Sequence, residues 1–239
     1  MIFLGPLYQL VAAHYAQRIY HFPLIRLVFY SLDKTLFYFL IFLVLRLFYL
    51  SLRHRLTKQW LFWRRELYLW ALVFYLCLLF SLTALRNIYW PSQLWAQLQL
   101  PHGTINTTPF VETWKLTRGA SKFDFLYNLY GNILWFIPLG FSYGVRLKDN
   151  RRWLPVQFLQ VYLLGVGVSL TIEMLQFLLS TGIADIDDVT FNALGCLVGF
   201  VVYLIWHSTR HLLSRVRQNL KHKKAAVRQI KLMAVQVNS

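Results

Sequence analysis

Negative charge is what this chain has least of: nine Asp and Glu stand against 25 Lys and Arg, and charged residues of either sign are 14% of the sequence against 57% hydrophobic. A soluble domain of 239 residues cannot cover its surface from so small a polar supply, so water is excluded as the main solvent. Cysteine is almost missing too. Cys77 and Cys196 both fall inside apolar runs, which suits packing and leaves no disulfide framework and no metal pair. The first residues lack a basic segment ahead of the apolar stretch and a small-residue cleavage site, so no removable signal peptide is expected. A formal net charge of +16 would suggest nucleic acid in a soluble protein. Here the basic tail has no aromatic residues interleaved for stacking on bases, and no nucleic-acid partner is expected.

What is abundant is apolar sequence in runs of about twenty residues, the length that crosses roughly 30 Å of hydrocarbon at about 1.5 Å per residue. The fold class is therefore all-α, a polytopic transmembrane helix bundle of about five spans with an N-terminal interfacial helix and a basic C-terminal tail. Spans are expected over 36–52, 67–85, 125–145, 154–179 and 189–206. Around them the chain divides into an interfacial segment (1–35), a first span with its basic loop (36–66), a membrane domain (67–206) and a basic tail (207–239). Trp60, Trp63, Tyr68, Trp90 and Trp153 lie at run ends, where an amphipathic ring rests among headgroups. Arg46, inside the first run, is expected to snorkel to the surface.

Retained Lys and Arg set an expected orientation. Arg53, Arg55, Lys58, Arg64 and Arg65 follow the first span, and Arg146, Lys148, Arg151 and Arg152 follow the third; both connections are expected to be cytoplasmic. The tail, with Arg210, Arg215, Arg217 and five further basic residues, belongs on the same side. By contrast 180–188 carries no basic residue, and 86–124 carries four over a greater length. Those two are expected outside, giving N-terminus out and C-terminus in. The loop at 86–124 is broken by Pro91, Pro101, Gly103 and Pro109; it shows no chemistry of its own, but it is long enough to cover the outer mouth of the bundle.

Four of the nine acidic residues, Glu173, Asp185, Asp187 and Asp188, fall on either side of the short connection between the last two spans. Carboxylates at a bilayer boundary are costly unless paired or wetted, which marks Glu173 in particular as functional. Helical spacing adds partners: Asn128 with Asn132 at i, i+4; Glu173 with Gln176 at i, i+3; Asp185, Asp188 and Asn192 at i, i+3, i+7. All lie at the same end of their spans, so they are expected to meet in one ligand-binding pocket. The competing structural reading makes Asp185 or Asp187 a helix cap and the asparagines interhelical hydrogen-bonders. The spacing matches no recognised metal loop, and no metal or cofactor is expected. Gly140 with Gly144, and Gly195 with Gly199, make small-xxx-small pairs for close helix approach, and Pro138 is expected to kink its helix.

Three linked motifs, NLYGNILWFIPLGF (128–141), SLTIEMLQFLL (169–179) and DIDDVTFNALGCLVGF (185–200), resemble the VanZ family over about residues 70–206. The resemblance implies a multi-pass protein of the bacterial cytoplasmic membrane. The family is named for a protein linked to resistance to the glycopeptide teicoplanin in Gram-positive bacteria, so the resemblance also implies a link to the cell envelope. It picks out Asn128, Asn132, Glu173, Gln176, Asp185, Asp188 and Asn192. Many members carry an Arg in the turn before the acidic run, whereas TGIADIDD (181–188) has neither Arg nor Lys. Two functions fit these residues. One is a binding protein whose partners are membrane lipids and a lipid-linked wall precursor or glycolipid. The other is a hydrolase or transferase on a lipid headgroup, with Glu173 as general base and Asp185 and Asp188 orienting water. Ion-coupled transport fits less well, because no internal repeat is visible.

Overall fold

The computed structural model describes residues 1–18, 22–53, 59–109, 122–147 and 153–237; at 122–129 and 221–237 it describes the backbone alone. The basic stretches 54–58 and 148–152, on which much of the orientation argument rests, lie outside the described residues.

The described residues are overwhelmingly helical. In chain order they form α1 (Gly5–Tyr15), α2 (Phe22–Leu52), α3 (Trp60–Leu82), α4 (Pro91–Leu98), β1 (Ile105–Asn106), α5 (Lys122–Arg146), α6 (Leu154–Leu179), β2 (Ala184–Asp185) and α7 (Ile186–Val237). Among the described residues, α2, α3, α6 and the 186–220 part of α7 are long and apolar enough to cross a membrane. The third expected span corresponds to α5, 25 residues long, whose asparagines, tyrosines and Pro138 make it less apolar than α2, α3 and α6. Leu40, Val44, Leu45 and Phe48 on α2, and Leu159, Leu163, Leu170 and Met174 on α6, point outward and are exposed. Apolar side chains outside and satisfied backbone inside is the arrangement a lipid solvent selects, and the protein is an all-α, multi-pass membrane bundle.

Two bodies make up the bundle. α2 and α3 pack as an antiparallel hairpin, while α5 and α6 pack on α7, with α5 against α7 the closest pairing. Glycine explains that intimacy. A Cβ on Gly140 would stand 1.8 Å from the Cys196 carbonyl oxygen, and one on Gly199 would stand 2.0 Å from that of Ile137. Both expected small-residue pairs thus lie between α5 and α7, Gly140, Gly195 and Gly199 against backbone and Gly144 against the Tyr203 side chain, joined by Gly165 of α6 against Ala193 and Cys196. Leu79, Phe136, Val161, Ile172 and Phe200 fill the core between the bodies. α3 also reaches α5 through hydroxyls. Tyr68 donates to the Ser142 carbonyl and Tyr75 to that of Trp135, at 2.5 and 2.7 Å. The second bond lies one residue past the Leu134 carbonyl that Pro138, lacking an N–H, leaves without its helical donor.

Three features differ from expectation. α2 begins at Phe22, well before residue 36, because Pro23 suits a first turn and the apolar sequence continues through Asp33 and Lys34. Those two charges are buried yet satisfied. Asp33 accepts the backbone N–H groups of Ile2, Phe3 and Leu4 and the Tyr89 hydroxyl, and Lys34 Nζ donates to the Leu85 and Ile88 carbonyls. Burial, and then the bond to Asp33, hold the Tyr89 phenol above its ordinary value. Second, Arg46 does not simply snorkel: it makes a two-pronged ion pair with Glu66 on α3, at 2.8 and 3.0 Å. Third, the basic tail continues α7 without a break, in one helix of 52 residues.

Candidate functional site

The acidic end of the bundle is built where α6 stops. Ser180 takes a left-handed backbone, φ 49°, and closes the helix. The chain then crosses to α7 through Ala184–Asp185, which pairs in parallel with Ile105–Asn106 of the long loop. The Ser180 hydroxyl donates to the Pro101 carbonyl, that of Thr181 donates to the Ala84 carbonyl at 2.8 Å, and Gly103 N–H donates to the Phe177 carbonyl at 2.8 Å. The loop at 86–109 is therefore fastened over the α6–α7 connection.

Beneath this cover the expected residues converge. Glu173 Oε2 accepts the backbone N–H of Asp185 at 2.9 Å. Asp185 Oδ1 accepts the backbone N–H of Asp187 at 2.9 Å, the reach of an N-cap carboxylate onto the second residue of α7. Its other oxygen accepts from Asn106 Nδ2 at 3.1 Å. Asn132 of α5 donates from Nδ2 to Asp188 Oδ1 on α7, and Asn192 Nδ2 donates to Ser169 Oγ of α6 at 2.8 Å. Glu173, Gln176 and Asn192 are 6%, 5% and 4% exposed, so this is an interior site and not a scatter of surface polar groups. Two of its acceptors, Gln176 Oε1 and Asn192 Oδ1, are buried with no hydrogen-bond partner.

Of the seven residues singled out in the sequence, hydrogen bonds tie Glu173 to Asp185 and Asn132 to Asp188, while Gln176 is buried one turn past Glu173 and Asn192, one turn past Asp188, is bonded to Ser169. The seventh, Asn128, lies in α5 one turn before Asn132, but its side chain falls outside the described residues. Asp185 serves as both cap and site residue: it precedes α7 instead of sharing a helical face with Asp188, because its carboxylate is needed on the first free N–H groups of that helix. Asp187, which helical phase would turn away from the cluster, is buried.

Two participants escaped the sequence reading. Asn106 comes from a loop that offered no periodic signal. Arg86, just past α3, brings its positive charge within range of both Glu173 and Asp188 while its Nε donates to the Leu82 carbonyl at 3.1 Å. The cation lacking from TGIADIDD is therefore supplied from a different segment. The signal was there: Arg86 is the first charge after a long apolar run, on the side otherwise poor in Lys and Arg. Among the described residues no group of three or more His, Cys, Asp or Glu is arranged to hold a metal ion. The cluster can offer carboxylates and amide oxygens to a donor-rich ligand, with one guanidinium at its edge.

Comparison with known proteins gives the family. The VanZ/LLP1 family matches residues 72–207. Protein VanZ of Enterococcus faecium is 28% identical over 109 residues, which cover 46% of this chain and 56% of that relative, so the chain aligns with little more than half the relative's length. No solved structure matches.

Proposed function

The chain belongs to the VanZ/LLP1 family of membrane proteins, and from that premise we propose that its acidic cluster is an outward-facing pocket for the hydroxyl- and amine-bearing headgroup of a cell-envelope component. A lipid-linked wall precursor or a glycolipid has the chemistry required, and the protein resides in a bacterial cytoplasmic membrane. The supporting observation is the pair of buried, unpartnered acceptors, Gln176 Oε1 one helical turn past Glu173 and Asn192 Oδ1 one turn past Asp188. An unpaired buried acceptor costs about 1–3 kcal/mol, a penalty that a donor on a ligand removes. Hydroxyls and ammonium groups are such donors, whereas a bare phosphate meets mainly carboxylates here. Likeness to Protein VanZ extends the proposal to glycopeptide resistance as the setting in which such a headgroup matters.

The test is binding to the full chain in lipid nanodiscs, with a lipid-linked disaccharide-peptide and a glycosyl diacylglycerol as probes. Saturable binding of one of them is expected, weakened about three- to tenfold by Gln176→Leu, which keeps the volume and removes the acceptor. Absence of saturable binding by both probes, or an unchanged affinity in the variant, would overturn the reading.

A second reading is favoured by the placement of Glu173, a buried carboxylate beside Asp188 and Arg86: general-base hydrolysis or transfer on the same headgroup. Time-dependent release of product, abolished by Glu173→Gln with binding retained, identifies that case. Binding without turnover excludes it.

A further inference from the structure

At the end of the bundle opposite the acidic cluster, a cavity of about 380 Å³ opens between α3, α5 and α7. Its wall is basic and aromatic: Arg64 from α3, and Tyr203, Trp206, His207, Arg210 and His211 from α7, with no carboxylate among the residues lining it. The groups are ordered against one another. The Arg210 guanidinium stands 4.8 Å from the centre of the Trp206 ring, His207 stacks on Tyr203 at 5.6 Å, and His211 meets His207 edge to face at 4.6 Å. Glu66, two residues on from Arg64 and so turned to the other side of α3, is engaged by Arg46 and does not line the cavity. Asp33, Glu173, Asp185 and Asp188 lie in the hydrogen-bonded clusters toward the other end. Among the described residues, two guanidiniums therefore face a cavity that no carboxylate lines.

We infer that this cavity binds the phosphate of an anionic headgroup. Arginine presents a planar fork of donors that matches phosphate oxygens in pairs, and imidazole N–H groups supply further donors at the rim. Position favours a lipid as the source. Tyr203 and Trp206 are the aromatic residues at which α7 passes from its apolar to its basic part, the level of lipid phosphates, and basic pockets between membrane helices at that level take anionic headgroups. A soluble phosphate ester carries the same chemistry and would enter from the aqueous side. The site is independent of the acidic cluster and opposite to it in the charge of its lining.

The test uses the full chain in an uncharged detergent, with adducts counted by native mass spectrometry after adding phosphatidylglycerol or phosphatidylcholine. Preferential phosphatidylglycerol adducts are expected, reduced about tenfold in Arg64→Gln/Arg210→Gln. Arg215→Gln/Arg217→Gln, which removes the same charge further along α7, is the control for general electrostatics and for folding. Retention of adducts in the control supports the cavity, and equal loss in both overturns it, as does equal binding of the two lipids. Glycerol 3-phosphate in excess then assigns the source. Displacement of the lipid assigns a site that soluble phosphate esters share, and no displacement assigns a lipid site.

Discussion

Asn132 and Asp188 make a structural contact between helices within the proposed pocket. The carboxylate, at the wet end of a membrane helix, is held by one amide donor from a neighbouring helix, and removing that donor leaves a charge that is hard to desolvate. Asn132→Ala is expected to cost about 1–3 kcal/mol of stability. The double variant Asn132→Ala/Asp188→Ala is expected to cost less than the two single variants added together, because the second removes the group that the first orphaned. Thermal unfolding of the purified variants measures this. Strict additivity would mean that the contact carries no energy. Residues of this kind were legible in the sequence because a polar group inside an apolar run is conspicuous and helical spacing gives it neighbours. Asn106 and Arg86 were not, since a polar residue in a loop is ordinary and its destination depends on how the loop is laid down.

Helix contacts in this protein are made by what is missing from their faces. Gly140 and Gly199 sit where a methyl group would meet the opposing backbone at 1.8 and 2.0 Å, and backbone cannot yield as a flexible side chain can. Gly167 of α6 faces open space, with nothing within 4 Å of a Cβ placed there. Gly140→Ala is accordingly expected to lose at least about 2 kcal/mol of stability, whereas Gly167→Ala is neutral or gains a few tenths from improved helix propensity. Folded yield and melting temperature in the same detergent distinguish them, and equal behaviour would contradict this packing. Periodicity announced these pairs in the sequence, but it could not say which helix each would face. Nor could it place the start of α2, since buried Asp33 is satisfied by N–H groups about thirty residues earlier in the chain and by Tyr89 far later.

For the whole molecule, the apolar runs made the all-α membrane class readable directly, because lipid demands long self-satisfied helices. The meeting of α5, α6 and α7 required three-dimensional packing on top of that pattern. The expected orientation rests on the charge balance of the connections, and the proposed pocket depends on it. In a background with Cys77 and Cys196 replaced by Ser and Ala, a cysteine at exposed Ile183 is expected to react with an impermeant reagent in intact cells, and one at exposed Leu212 only after lysis. The reverse pattern would turn the acidic pocket toward the cytoplasm and exclude envelope headgroups exposed on the outer face as its ligands.

The close fit of α5 to α7 also has a history. On the ribosome α5 is made before α7, so a helix less apolar than α2, α3 and α6 enters the membrane while the glycine-lined groove that matches it, and the carboxylate that takes the Asn132 amide, are still unsynthesised. In that interval α3 is already present, and the hydroxyls of Tyr68 and Tyr75 are the partners it offers to the carbonyls of α5. The last span to be translated is thus the keystone: until it arrives, neither the core of the bundle nor the acidic site exists.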